Sequence, residues 1–133
     1  MPDYVSDTHG IIWYLEDSPR LGREARKAFS ACDQGDGFIY VPTICLVEIV
    51  YLQEKGRIAP ELKARLDAEL SSSESGLLLA DLTFEIASMV SQVPRRQVPD
   101  MPDRIIAATA LHMGLPLISR DRKIRLSAVK TIW

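Results

Sequence analysis

Short apolar, β-branched runs alternate along the chain with longer stretches in which apolar residues return every three to four positions. Tyr4-Val5-Ser6, Phe38-Ile39-Tyr40-Val41, Leu77-Leu78-Leu79, Pro116-Leu117-Ile118-Ser119 and the final Val129–Trp133 read as strands, most of them buried. Between them the pattern predicts helices over 8–16, 22–33, 43–55, 60–72, 83–91 and 102–113. Thr43 stands at an N-cap position after Pro42, and Gly56 and Gly114 follow the helices that end at Lys55 and Met113. Buried strands separated by helices predict an α/β fold: a three-layer α/β/α sandwich with a central parallel sheet of four to five strands. The run Ser71–Gly76 is only a loop between a helix and the third strand, so a single domain over 1–133 is expected.

Composition narrows the class. With 133 residues, 47% hydrophobic and 26% charged, the chain has the make-up of one soluble domain with a sizeable core. Sixteen basic against eighteen acidic residues give a net charge of −2, so any nucleic acid must be held by a local patch or through a metal. The longest run without Asp, Glu, Lys or Arg, Ile105 to Ser119, is broken by Gly114 and Pro116 and falls short of the ~20 residues of a membrane span. No base precedes Arg20, which argues against a secretory signal. Cys32 and Cys45 form neither a metal motif nor a disulfide framework, so the expected compartment is the reducing cytoplasm, with no membrane partner.

In a parallel sheet, ligands gather at the carboxyl ends of the strands. Acids stand there. Asp7 follows the first strand, Asp121 follows the fourth, and Asp100 and Asp103 open the helix leading into that fourth strand. Each has an ordinary alternative: Asp7 as the cap of the helix at Thr8, Asp100 with Asp103 at cap spacing, Asp121 as a surface residue. Glu48 is different, because its neighbours three and four positions away are Ile44, Cys45, Tyr51 and Leu52. A carboxylate on such a face is costly unless paired, either with an arginine such as Arg104 or with a cation shared by other acids. The second reading is preferred here. Together the acids form a hard-oxygen set that suits Mg²⁺ or Mn²⁺ rather than zinc. Phosphate-loop, dinucleotide-turn and serine-elbow motifs are absent from the sequence.

The stretches Val5-Ser6-Asp7-Thr8-His9, Pro42-Thr43-Ile44-Cys45-Leu46-Val47-Glu48-Ile49, Asp100-Met101-Pro102-Asp103-Arg104-Ile105-Ile106-Ala107-Ala108-Thr109-Ala110 and Pro116-Leu117-Ile118-Ser119-Arg120-Asp121 also carry a family resemblance. In order and spacing the chain resembles the PIN-domain ribonucleases of the VapC toxin type. The resemblance implies a divalent-metal-dependent endoribonuclease, the toxin of a type II toxin–antitoxin module, leaving a 5′-phosphate and a 3′-hydroxyl. By it, Asp7, Glu48, Asp103 and Asp121 are the catalytic and metal-holding residues, with Asp100 as an accessory ligand and Thr8 offering its hydroxyl to the metal shell or substrate. It implies Mg²⁺ (or Mn²⁺) as cofactor, RNA as substrate and a small cognate antitoxin as partner.

Arg120, Arg122 and Lys123, with Arg125, surround Asp121 and are candidate phosphate contacts, as is Arg95-Arg96 ahead of Asp100. Trp13, Tyr14, Tyr51 and Leu52 are candidates for an antitoxin groove or a homodimer face, core packing being their alternative. Two further readings of function stay open: a PIN ribonuclease of RNA processing, and a PIN domain that binds metal or a partner without cutting. A phosphatase is disfavoured because His9 stands where that class commonly places a second aspartate after the first strand.

Overall fold

The sheet is built on β1 (Tyr4–Ser6), which pairs in parallel with β2 (Ile39–Pro42) on one side and β4 (Leu117–Ile118) on the other. β3 (Leu77–Ala80) and β5 (Thr131–Ile132) complete a five-stranded parallel sheet in the order β3-β2-β1-β4-β5. The computed structural model describes residues 3–125 and 128–133, Arg125 by its backbone alone. The chain steps outward from β1 to β3, then crosses back to β4 and β5. Right-handed connections running in opposite directions cover opposite faces, and the result is the three-layer α/β/α sandwich expected from the pattern. Burial explains the continuously apolar strands: Val5, Val41, Leu117 and Ile118 have no exposed surface, whereas Leu79 on the edge strand β3 keeps 43%.

Among the described residues the helices are α1 (Thr8–Leu15), α2 (Arg23–Asp33), α3 (Thr43–Glu54), α4 (Glu61–Ser71), α5 (Phe84–Met89), α6 (Met101–Met113) and α7 (Arg122–Arg125). Bounds agree with the apolar periodicity to within one or two residues, with two differences. The segment expected as one helix over 83–91 is α5 capped by Thr83, followed by a 3-10 turn at Val90–Gln92. The α7 turn after Asp121 is too short to leave a periodic trace. Thr43 is also not the cap expected of it: Pro42 takes the N-cap position, and the Thr43 hydroxyl instead donates to the Ala80 carbonyl at 3.1 Å, tying α3 to β3.

α6 shows how local sequence sets an element. Asp100 accepts the Asp103 N–H at 3.1 Å, Pro102 lies in the first turn, and Gly114 closes the helix at φ 67°, a conformation that favours glycine. Its Ala107, Ala108 and Ala110 have no exposed surface, and these small side chains let the helix lie close to β1. Arg104, on the same helix, donates from Nε to the Val93 carbonyl and from a terminal nitrogen to the Val90 carbonyl, both at 3.0 Å. The arginine therefore holds the 3-10 turn against α6 and does not serve Glu48.

Candidate active site at the switch point of the sheet

From β1 the chain leads to β2 on one side, and from β4 to β5 on the other. The crevice at the carboxyl ends of two such diverging strands is where an open α/β sheet admits a ligand. A cleft of about 590 Å³ opens there, lined by Asp7, His9, Ile12, Trp13, Glu16, Arg20, Leu52, Arg57, Ile58, Asp103, Arg120 and Asp121.

Asp7 is held on three sides. Its N–H donates to the Ile118 carbonyl at 3.0 Å, extending the pairing of β1 with β4. Its Oδ1 accepts the Gly10 N–H at 2.8 Å, so the carboxylate does cap α1. The Ser119 hydroxyl also bonds the Asp7 carboxylate, and accepts the Asp121 N–H at 3.1 Å. Capping and facing the cleft are thus compatible. Burial, at 8% exposure, pushes the Asp7 pKa up, and the charge of Asp121 adds to it; the bonds from Gly10 and Ser119 and the charge of His9 work the other way.

Asp103 sits in the first turn of α6 and reaches the same cleft. Partial burial first, then the charge of Asp100, then the charge of Asp121 and a hydrogen bond with it, and finally Glu48, push the Asp103 pKa up to about 7. Glu48 is half-buried on α3 and accepts the Thr8 hydroxyl at 2.5 Å. Asp121 accepts the Lys123 N–H at 2.8 Å, the turn that starts α7. Asp100 is exposed and acts as the α6 cap, its charge adding to the field on Asp103. One turn before Glu48, the buried Cys45 thiol is pushed up by burial, with Asp7, Glu48 and Asp103 contributing. Asp103 therefore lies in the fields of Asp121 and Glu48, and Asp7 in that of Asp121, which links acids from four separate places in the fold.

Among the described residues, none of these acids forms an ion pair with a base, and no three Asp, Glu, His or Cys side chains close on a common point by themselves. The donor set nonetheless fits Mg²⁺, which characteristically takes one or two carboxylates and completes its octahedron with water and substrate phosphate. Carboxylates whose proton affinity is raised by burial and by one another are also the groups a cation would relieve. Arg104 is engaged by two carbonyls, so the alternative pairing of Glu48 with Arg104 does not hold. Glu48→Gln should accordingly leave the metal-free protein within about 0.5 kcal/mol of wild type in chemical denaturation, since the glutamine oxygen still accepts from Thr8. Arg104→Gln should instead cost about 1–3 kcal/mol, because two partly buried carbonyls lose a charged donor.

Thr8 is buried against Glu48 and does not line the cleft. Arg120 does, its guanidinium 4.6 Å from the centre of the Trp13 ring. Arg122 and Lys123 are exposed on α7 and do not line the cleft, Arg95 and Arg96 are exposed before Asp100, and the side chain of Arg125 lies outside the described residues. Trp13 is not the exposed groove residue it could have been, with 7% exposure and an edge-on contact to Trp133; Tyr14 stacks on Phe29 at 4.3 Å. Ser119, Gly10, Arg20 and Arg57 carry no pattern that singles them out, because each is recruited by a neighbour distant in sequence or by close backbone approach. A Cβ at Gly10 would stand 2.6 Å from Ser6 Oγ and 3.1 Å from Asp7 Oδ1. Gly10→Ala should therefore displace Asp7, costing about 1–3 kcal/mol in a melt and most of any metal-dependent activity.

Fold and site together define a class: an α/β domain with a group of acids at the switch point of a five-stranded parallel sheet. The PIN domain family matches residues 4–130, and the chain belongs to that family. It is 26% identical over 125 residues to Ribonuclease VapC22 of Mycobacterium tuberculosis, across 94% of this chain and 92% of that protein. Among solved structures, VapBC2 from Rickettsia felis bound to a DNA fragment from their promoter aligns with a TM-score of 0.73 at 15% identity, covering 98% and 97% of the two chains. DNA-bound VapBC from Salmonella typhimurium aligns with a TM-score of 0.73 at 18% identity, covering 99% and 98%. A toxin–antitoxin complex from Klebsiella pneumoniae gives a TM-score of 0.65 at 22% identity, covering 98% and 96%.

Proposed function

We propose that this protein is a divalent-metal-dependent endoribonuclease and the toxin of a type II toxin–antitoxin module. The observation that carries the reading is the crowding of acids around Asp103, which feels Asp121 and Glu48 and is pushed up to about 7, beside Asp7, which feels Asp121, with no ion-paired base among the described residues. The ribonuclease relative, alike over nearly the whole chain, supports RNA as the substrate.

Asp7, Glu48, Asp103 and Asp121 would hold Mg²⁺ or Mn²⁺, with Asp100 adding charge from the cap of α6. When bound, the cation supplies Lewis acidity toward the phosphodiester and acidifies a bound water. The chain's own part is orientation. Gly10 and Ser119 fix the Asp7 carboxylate, the Thr8 hydroxyl fixes Glu48, and Ser119 joins β4 to both Asp7 and Asp121. In-line hydrolysis leaves a 5′-phosphate and a 3′-hydroxyl.

The complexes formed by the structural neighbours support a small cognate antitoxin as partner. Val47, Val50 and Tyr51, the last 60% exposed, give α3 an apolar outer face suited to a second copy, a homodimer. Among the described residues no helix is long and apolar enough to cross a membrane. The free thiols of Cys32 and Cys45 suit a reducing cytoplasm. The test is to sequence the ends of RNA incubated with the purified protein in Mg²⁺, with EDTA and Asp7→Asn as controls. New 5′-phosphate ends that need both metal and Asp7 are the expected result. Ends that appear equally in all three samples overturn the reading.

A further inference from the structure

Two opposite chemistries line the cleft. Asp7, Asp103 and Asp121 form its acidic lining, and three guanidinium side chains, Arg20, Arg57 and Arg120, its basic lining. These arginines come from separate places, the loop after α1, the loop after α3 and the segment after β4, and of the three only Arg120 stands in a run of bases in the sequence. All three residues are exposed, and among the described residues none is in an ion pair, although Glu16 lines the same cleft. Two are gathered by one aromatic ring: the Arg120 and Arg20 guanidinium carbons lie 4.6 Å and 5.9 Å from the centre of Trp13. That ring is 7% exposed and packed edge-on against Trp133, so it offers no free face for a base to stack on. Its role is to hold charge at the rim.

Resting on the ribonuclease reading, we propose that Arg20 and Arg57, together with Arg120, bind backbone phosphates of a single RNA strand next to the phosphodiester that the acidic lining would cut. Guanidinium groups match phosphate oxygens in bidentate geometry, and uncompensated ones beside a cation site supply the attraction that a chain of net charge −2 otherwise lacks. They read no base, so they contribute affinity and register without sequence preference. The clustered bases Arg122 and Lys123, which are exposed and do not line the cleft, play no part in this contact.

The test uses a fluorescent single-stranded RNA and anisotropy in EDTA, where the acidic lining repels the strand and only the basic lining binds. Arg20→Ala, Arg57→Ala and the Arg122→Ala/Lys123→Ala pair are compared with wild type, after melts confirm that each is folded. Arg20→Ala and Arg57→Ala should each weaken binding about fivefold or more, and each should lower the slope of log affinity against log salt by about 0.7, the value for one phosphate contact on a single strand. In Mg²⁺ both should raise KM for cleavage while kcat stays near wild type. The Arg122/Lys123 pair should change neither quantity. Wild-type salt slopes in both single-arginine variants, with RNA still bound and cut, overturn the proposal while leaving the nuclease reading intact. A wild type that neither binds nor cuts RNA overturns both. If a poly-glutamate peptide binds in an Arg20- and Arg57-dependent way while RNA binding ignores them, the basic lining serves an acidic protein segment and the proposal fails.

Discussion

Asp7→Asn is expected to yield a folded protein that no longer cleaves RNA. Asparagine is as good an N-cap as aspartate, so its oxygen still accepts the Gly10 N–H and α1 still begins at Thr8. What the change removes is a charge 8% exposed and disfavoured by burial, which should leave the metal-free protein as stable as wild type or more so. The same charge is what a cation needs. Cleavage should fall more than about a hundredfold, and with it the Mg²⁺-dependent rise in melting temperature that binding confers, ~2.7 kcal/mol at a hundredfold excess over the dissociation constant. Asp103→Asn should behave alike. Calorimetry with and without Mg²⁺, beside a cleavage assay, checks both halves; wild-type cleavage in both variants would remove these acids from the site.

Stability of the metal-free protein should fall as pH rises from about 4 to 8. Asp103 carries its proton up to about pH 7 in the fold but only to about 3.8 in the unfolded chain, so across this window the folded state binds more protons. Its contribution is complete below 3.8 and lost once pH passes about 7. Taken whole, the shift corresponds to ~4 kcal/mol; the site is partly exposed, and screening reduces this to about 1–2 kcal/mol. Asp7, raised mainly by burial, acts in the same direction. In EDTA, Asp103→Asn should therefore be more stable than wild type by about 1–2 kcal/mol at pH 8 and gain nothing at pH 4. Mg²⁺ should flatten the wild-type slope and release a proton on binding near pH 6.5 but not at pH 8.5. Urea denaturation at a series of pH values measures the slope directly. A wild type that grows more stable toward pH 8 in EDTA would contradict the charge crowding at Asp103.

The elements and the acids were legible in the sequence because both are written locally. A strand buried on two faces must be apolar at every position, as in Leu117-Ile118, and a helix against such a sheet must repeat its apolar residues near every turn. Glu48 was conspicuous for the same reason: local periodicity assigns its face to the core, and a carboxylate there needs a partner. Asp100 was readable as a cap from its spacing to Asp103 alone. The partner of Glu48 was not readable. Cation and Arg104 are equally compatible with a charge on an apolar face, and only the packed molecule sends Arg104 to the carbonyls of Val90 and Val93 and the Thr8 hydroxyl to Glu48.

The basic residues show the opposite case. Arg122 and Lys123 follow Asp121 directly in sequence, yet on the α7 turn they do not line the cleft, while Arg20 and Arg57, well separated in sequence from Asp103 and Asp121, do. Ser119, a small polar residue ending a strand, becomes the link between Asp7 and Asp121 because β1 and β4 lie side by side. By itself the sequence determined the buried strands, the helices to within one or two residues and which acids reach the ends of strands, since these follow from periodicity and from bonds within a few residues. Only the tertiary structure decided which side chains share a cleft, because that depends on the strand order and on the directions in which loops leave the sheet, and those are properties of the packed chain rather than of any local stretch of it.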